Sequence, residues 1–202
     1  MKTQTKTKSF RQRGVKLCAA FLLVILLAAC GTQGENKPQT KTDEKGFYSY
    51  DGYVVKTDYP LDEDSVNKAA EKIKNIYDMY LEGTNVQAYY SIVPDKNYCI
   101  GAEAGIDTID YKKMVDLMKL KTDYMPYLDI TGLLGITDYY KTDAHWRQEK
   151  ITDVAAKLAE AMGVSLNAEY EAKEAKADFV GAYSRQSELE MEAEPLNYLY
   201  NA

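Results

Sequence analysis

One short segment combines residue types that could carry out acid–base chemistry. It runs from Asp138 to Trp146 and contains the only histidine and the only tryptophan of the 202 residues, with Asp143 two positions before His145. Residues at that spacing do not share a helix face, but on an extended turn the carboxylate can lie beside the imidazole. There it would accept the Nδ1 hydrogen, stabilise the imidazolium and leave Nε2 free to take a proton from a nucleophile.

The same segment also has simpler interpretations. Asp143 could cap a helix that begins near His145 or Trp146, and a single histidine beside a tryptophan is often a packed residue. The sequence offers no second histidine and no cysteine pair, so we expect no metal site, and we predict no cofactor. Spacing alone therefore leaves a catalytic and a structural role open.

The elements that must position this segment alternate between strand and helix signals. Aromatic and β-branched residues on both sides of Asp51-Gly52 predict a hairpin. Apolar residues at helical spacing predict a helix that is capped by one of Asp62, Asp64 or Ser65 and ends at Gly83. The same spacing predicts two more helices, Asp110 to Leu120 and Arg147 to Met162.

Two short apolar runs, Val86 to Val93 and Tyr127 to Ile130, predict buried strands, the first of them parallel. Cys99 is then expected to be a buried strand residue. The alternation favours α/β layering, and the Asp143–His145 segment would lie at the sheet end where such proteins usually have their sites. Beyond Gly163 the pattern weakens: residues 167–176 are polar, and residues 178–184 predict a strand or an ordered loop.

The N-terminus has the pattern of an export signal. Six basic residues and no acid accompany an apolar run from Leu17 to Ala29, which as a helix would reach only about 20 Å of the roughly 30 Å bilayer core. Leu27-Ala28-Ala29-Cys30 resembles the bacterial lipobox, which implies cleavage before Cys30 and acyl chains such as palmitate on its sulfur. An ordinary cleavage site is the alternative. We expect an exported protein that this lipid anchors to the cell membrane or the outer membrane.

Three parts follow from this reading: a signal at 1–29, a lipidated cysteine with a flexible linker at 30–45, and one domain at 46–202. The linker has no large apolar residue to bury. The chain has 25 basic and 31 acidic residues, and loss of the six N-terminal basic residues would leave a net charge of −12. Such an acidic domain is a poor partner for nucleic acid.

The segment Tyr139 to Trp146 resembles the Tyr-Tyr-(Lys/Arg)-Thr-Asp-x-His-Trp signature of the DHHW proteins, which are related to the SGNH-like domains of alginate O-acetyltransferases. Residues 91–96 resemble the family's strand ending in Val-Pro-x-Lys, and residues 51–53 resemble its Asp-Gly-Tyr. Residues 178–184 resemble its later Phe-x-Gly-x-Tyr-Ser stretch. The resemblance covers most of residues 46–187, and the Asp-x-His-Trp segment is its specific part.

This resemblance implies a flavodoxin-like, SGNH-like three-layer α/β sandwich, with Asp143 and His145 as two members of a Ser-His-Asp triad. Better-known members of the family move acetyl groups on extracellular polysaccharide, which makes such a polysaccharide a candidate partner. Lys96, Tyr140 and Trp146 belong to the matching motifs and are candidate substrate-binding residues.

The sequence departs from the family at two points. Ala144 stands where DHHW members have the first of two histidines, which leaves the base in place. The family's serine follows the Asp-x-His pair in a Gly-Asp-Ser or Gly-Thr-Ser turn, and neither tripeptide occurs here. Ser165 follows a predicted helix and is expected to belong to its C-terminal cap, and Ser184 and Ser187 lack the glycine-rich turn that exposes a nucleophile. We therefore expect an incomplete domain whose nucleophile lies outside these 202 residues.

Three functions remain open. The first is an O-acetyltransferase or esterase acting on extracellular polysaccharide. The second is a non-catalytic, degenerate or truncated lipoprotein that binds glycan or a protein through a surface rich in the chain's 18 tyrosines. The third is a solute-binding lipoprotein, which is disfavoured because residues 46–202 are few for two lobes and a hinge.

Overall fold

The predicted hairpin is present at the start of the folded region. In the computed structural model, which describes residues 40–201, strand β1 (Phe47–Tyr50) pairs antiparallel with β2 (Tyr53–Lys56). Asp51 and Gly52 both have positive φ, 47° and 78°, as the two central residues of a type I′ turn require. The predicted signal at 1–29 and Cys30 lie outside the described residues.

Five α-helices lie within the described residues: α1 (Glu63–Tyr80), α2 (Lys96–Ala104), α3 (Tyr111–Lys121), α4 (Thr152–Ala161) and α5 (Ala182–Gln186). The first three begin after aspartates, Asp62, Asp95 and Asp110, whose carboxylates accept a backbone N–H of the first turn. Such caps satisfy donors that have no partner inside the helix. The predictions of α1 and α3 are confirmed, and α2 was not predicted.

Three apolar clusters connect these elements. The hairpin packs on α2 through Tyr48, Val55 and Ile100, and α1 packs on α3 through Val66, Ala70 and Met118. The third cluster joins α4 to the segment that carries the histidine; it consists of Ile130, Leu134, Tyr139 and Val154. This last cluster fixes the back of the candidate site.

The two predicted buried strands are the main error in the prediction of the fold. The runs Val86 to Val93 and Tyr127 to Ile130 meet in a single parallel bridge between Tyr90 and Tyr127, and Val86 and Val93 are exposed. Parallel strands are normally buried on both faces, and these runs lack that cover. Cys99 is correspondingly half-buried in α2 and not in a strand.

The C-terminal part also differs from the sequence-based expectation. The polar stretch becomes strand β3 (Glu171–Phe179), which pairs antiparallel with β4 (Glu194–Tyr200) through an irregular register between Glu174 and Asp178. Residues 178–184 are thus the end of β3 and the start of α5. The helix expected from Arg147 begins at Thr152, because residues 148–150 form a 3₁₀ turn.

The mixed α/β class is confirmed. Within residues 40–201 the sheets are the two antiparallel pairs β1–β2 and β3–β4, so the three-layer sandwich stays a prediction. None of the helices in this described range is both long and apolar enough to span a bilayer.

Candidate active site

The structure brings Asp143 and His145 together. Nδ1 of His145 lies 2.5 Å from Oδ1 of Asp143, and the same oxygen accepts the His145 backbone N–H at 3.0 Å. The carboxylate is buried, whereas the imidazole side chain is 82% exposed. The ring therefore turns its Nδ1 edge towards the acid and its Nε2 edge towards solvent, which is the arrangement needed for an oriented general base.

A tight loop fixes the backbone of this pair. Tyr139 and Trp146 form an antiparallel bridge; the Tyr140 N–H donates to the His145 carbonyl at 3.1 Å, and the Arg147 N–H donates to the Asp138 carbonyl at 2.7 Å. These bonds make the segment a short hairpin-like loop, with Asp143 and His145 near its tip. The alternative in which Asp143 caps a following helix is not what forms.

Asp143 is held from a second direction by the turn between β3 and α5. The Ala182 N–H donates to its other oxygen, Oδ2, at 2.6 Å. Burial alone would raise the pKa of Asp143, but the hydrogen bonds from Ala182 and His145 outweigh burial and hold this pKa below its usual value. Asp143 is thus a carboxylate at neutral pH, ready to stabilise an imidazolium.

Gly181 allows this close approach. A Cβ built on Gly181 would lie 2.3 Å from Cβ of Asp143 and 2.6 Å from the carbonyl oxygen of Thr142. Both distances are far below van der Waals contact, so a larger residue would push the turn away from the loop. Gly181, the glycine of the Phe-x-Gly-x-Tyr-Ser stretch, therefore lets the turn before α5 contact Asp143.

The three candidate substrate-binding residues differ in exposure. Lys96 is 2% exposed, and its ammonium donates to the carbonyls of Tyr140 and Lys141 at 3.1 and 3.2 Å. Tyr140 is also buried, with its ring centroid 4.9 Å from that of Phe179. Trp146 is half-buried against the cluster behind the site. Lys96 and Tyr140 lie beneath the loop, which corrects the expectation that they face a substrate.

Lys96 is an unusual residue to find in an interior. Its ammonium lies 5.2 Å from the ring centroid of Tyr183 and 5.9 Å from that of Tyr53. Burial lowers its pKa to about 8, and the nearby carboxylates of Glu194 and Asp143 oppose that shift. The charged form is retained near neutral pH because carbonyls, aromatic faces and carboxylates surround it.

Two residues of the site escaped sequence reasoning. Thr142 is fully buried, and Glu194, in β4, is 7% exposed and accepts hydrogen bonds from the loop. In residues 188–194 glutamates alternate with Leu189, Met191 and Ala193, a pattern that predicts Glu194 on the polar, exposed side. No local signal marks its burial, because the loop that buries it is 52 positions away.

Several components of an enzyme site are not formed by the described residues. Within residues 40–201 the His145 ring has Asp143 as its one hydrogen-bond partner, so the described residues bring no serine to Nε2. The same residues form no group of three potential metal ligands. A groove of about 360 Å³, lined by Tyr98, Tyr111 and Tyr127 among others, does not include the pair.

Comparison with known proteins identifies a similar fold. No protein-family model matches the chain, and no curated protein matches it. A solved structure of Bacillus cereus PatB1 with a sulfonyl adduct is similar, with a TM-score of 0.60 at 14% sequence identity. The match covers 80% of this chain and 57% of the PatB1 chain. The chain therefore shares a fold with PatB1 and spans less than two thirds of its length.

Proposed function

We propose that this protein is an acyl-transfer enzyme of the SGNH-like kind, an O-acetyltransferase or esterase, in which Asp143 and His145 are two members of a Ser-His-Asp triad. One observation carries the proposal: a buried carboxylate lies 2.5 Å from Nδ1 of an imidazole whose side chain is 82% exposed. A packed structural histidine would not present its second nitrogen to solvent.

In the proposed reaction His145 takes the proton of a serine hydroxyl through Nε2 as the serine oxygen attacks an ester carbonyl. The imidazolium, stabilised by Asp143, returns the proton to the leaving alcohol oxygen, and an acyl-serine remains. His145 then takes a proton from a second hydroxyl, whose oxygen attacks the acyl-serine carbonyl. The bond from the carbonyl carbon to the serine oxygen breaks, and the imidazolium returns the proton to that oxygen, which restores the free serine. With water the net reaction is ester hydrolysis; with a sugar hydroxyl it is acyl transfer.

Two further arguments support acyl chemistry. The Tyr139–Trp146 segment resembles a signature related to O-acetyltransferases of extracellular polysaccharide. The similar PatB1 structure contains a sulfonyl adduct, and sulfonyl groups attach to activated nucleophiles such as a serine hydroxyl. The proposal extends to the three-layer sandwich as the complete fold and to extracellular polysaccharide as the acceptor.

A sulfonyl fluoride tests the proposal and identifies the serine. The protein, produced from its complete reading frame, is treated with phenylmethylsulfonyl fluoride, and the modified residue is mapped by mass spectrometry. We expect one modified serine, and we expect His145→Ala to slow both modification and the hydrolysis of p-nitrophenyl acetate by at least about 10³-fold. Lys157→Ala, which alters an exposed side chain of α4, should keep both rates.

Equal rates in the wild type and in His145→Ala would overturn the proposal. Absence of both modification and hydrolysis would also overturn it, and would favour the non-catalytic binding lipoprotein.

The envelope location is a separate part of the proposal. It rests on the basic and apolar residues before Cys30 and on the Leu-Ala-Ala-Cys motif. Growth with labelled palmitate should label the wild-type protein, and Cys30→Ser should abolish the label. Equal labelling of both would refute the anchor without affecting the proposed reaction.

A further inference from the structure

A buried carboxylate from the C-terminal strand supports the loop that carries the pair. Oε1 of Glu194 accepts the Thr142 N–H at 2.8 Å and the Thr142 hydroxyl at 2.7 Å, and its Oε2 accepts the Lys141 N–H at 2.9 Å. Three hydrogen bonds donated to one carboxylate thus hold the two residues that immediately precede Asp143. Hydrogen bonds to a buried charge are stronger than neutral ones.

A buried ammonium holds the carbonyl groups of the same segment. Lys96, at the start of α2, donates to the carbonyls of Tyr140 and Lys141. The N–H groups of Lys141 and Thr142 are therefore bound by a carboxylate, and the carbonyls of Tyr140 and Lys141 are bound by an ammonium. Each charge satisfies the polar groups that burial would otherwise leave unpaired.

The Thr142 hydroxyl continues this network to Asp143. It donates to Glu194 and accepts the Gly181 N–H at 2.8 Å. The next amide along the chain, Ala182 N–H, is the one that binds Asp143 Oδ2. Fixing Gly181 therefore also fixes the donor that orients the Asp143 carboxylate.

We propose that Glu194 and Lys96 are positioning residues for the candidate active site, and that the Thr142 hydroxyl relays the effect of Glu194 to the Asp143 carboxylate. This inference rests on the proposed function, because it assigns these groups the task of aligning Asp143 with His145. None of the three touches the imidazole; they act through the loop backbone and the Gly181–Ala182 turn.

Thr142 offers a test that leaves the charge of the site unchanged. Valine has nearly the shape of threonine but lacks the hydroxyl, so Thr142→Val removes both hydroxyl contacts and keeps the backbone ones. Thr142→Ser keeps the hydroxyl and is the matched control. A structural role alone would lower the melting temperature of Thr142→Val without changing the state of the imidazole.

The single histidine makes that state measurable. The ¹⁵N shifts of the imidazole report whether the proton is on Nδ1 or Nε2 of the neutral ring, and they are recorded over a pH series up to the plateau at which they no longer change. We expect the Nδ1–H form in the wild type and in Thr142→Ser. Thr142→Val should shift the signals towards those of Asp143→Asn and lower kcat up to about 10²-fold with KM unchanged.

The outcomes separate the two proposals. Wild-type shifts and kcat in Thr142→Val, together with altered shifts in Asp143→Asn, would overturn the positioning inference alone. Unchanged shifts in Asp143→Asn would overturn the Asp143–His145 pairing and with it the proposed function. If Thr142→Val does not fold, Glu194→Gln provides the same test, with exposed Glu192→Gln as its charge-matched control.

Discussion

Residues 138–147 and residues 171–200 contribute to the candidate site in opposite ways. The first region carries the pair and closes on itself through bonds such as Tyr140 N–H to the His145 carbonyl. The second region carries no member of the pair, but it supplies Glu194, Gly181 and the Ala182 N–H that hold the pair in place.

The two regions thus have different roles: the first carries the reacting groups, and the second carries groups that hold them in place. The reacting groups are two residues apart, and a turn suffices to bring them together. The groups of the second region that hold them come from about 40 to 50 positions further along the chain and depend on the pairing of β3 with β4. Disruption of the first region should therefore affect activity most, and disruption of the second should affect stability and activity together.

Asp143→Asn should have the largest effect. An amide in place of the carboxylate no longer selects the Nδ1–H form or stabilises the imidazolium, so ester hydrolysis should fall by about 10³- to 10⁴-fold. Steady-state kinetics of the complete protein measures the loss. Asp123→Asn, at an exposed carboxylate, is the control with the same change of charge. A fall of less than tenfold in Asp143→Asn would show that the pair does not catalyse.

Gly181→Ala should have the next largest effect and should act through the second region. The added Cβ would meet the Thr142 backbone oxygen and Asp143, so we expect a loss of about 3 kcal/mol in the free energy of unfolding and reduced ester hydrolysis. Urea denaturation measures the first and steady-state kinetics the second. Gly132→Ala, where the structure describes no atom within 4 Å of the new Cβ, should be close to neutral.

If Gly181→Ala and Gly132→Ala are equally stable and equally active, the β3–α5 turn does not support the loop. In that case the first region would be sufficient by itself.

The same contrast explains what the sequence could predict. The pair, the hairpin at Asp51-Gly52 and the helices α1 and α3 rest on local spacing and local turn chemistry, and the structure contains all of them. In α2 the prediction failed because its buried face includes Lys96 and Asn97, residue types that normally indicate a surface. Their burial depends on partners elsewhere in the chain, such as Tyr48, whose hydroxyl donates to Asn97 at 2.6 Å.

The strand β3 shows how pairing overrides local preference. Its sequence, Glu-Ala-Lys-Glu-Ala-Lys-Ala-Asp-Phe, consists mostly of good helix formers, and its apolar residues alternate with polar ones only from Ala175 to Phe179. It is nevertheless a strand, because β4 supplies the ladder of hydrogen bonds and buries Glu194 against the loop. Strand propensity depends on such context more than helix propensity does.

Lys96 predicts a pH dependence of stability. Its pKa is about 8 in the folded protein and about 10.4 in an unfolded chain. Between these values the unfolded chain holds a proton that the folded protein has lost, so this group makes stability rise with pH, by roughly 1 kcal/mol per pH unit. Below pH 8 both states are protonated and the group contributes no slope.

Urea denaturation at pH 7 and at pH 9.5 measures that slope. The unfolding free energy of the wild type minus that of Lys96→Met should be more positive at pH 9.5 than at pH 7, because only the wild type has the titrating ammonium. Lys112→Met, at a side chain that is 86% exposed, should stay parallel to the wild type. A constant difference for Lys96→Met would mean that the buried ammonium does not titrate in this window, and its support of the loop would then hold at both pH values.

Lys173→Ala should have the smallest effect. It tests whether the whole β3–β4 pair supports the loop or only the end that carries Glu194. The Lys173 ammonium lies over the Tyr200 ring at the end of the β3–β4 pair opposite Glu194, and an exposed contact of this kind contributes about 0.5 kcal/mol. We expect a loss of that size in urea denaturation and no change in ester hydrolysis. Reduced hydrolysis would show that the whole β3–β4 pair, and not only its end at Phe179 and Glu194, holds the loop.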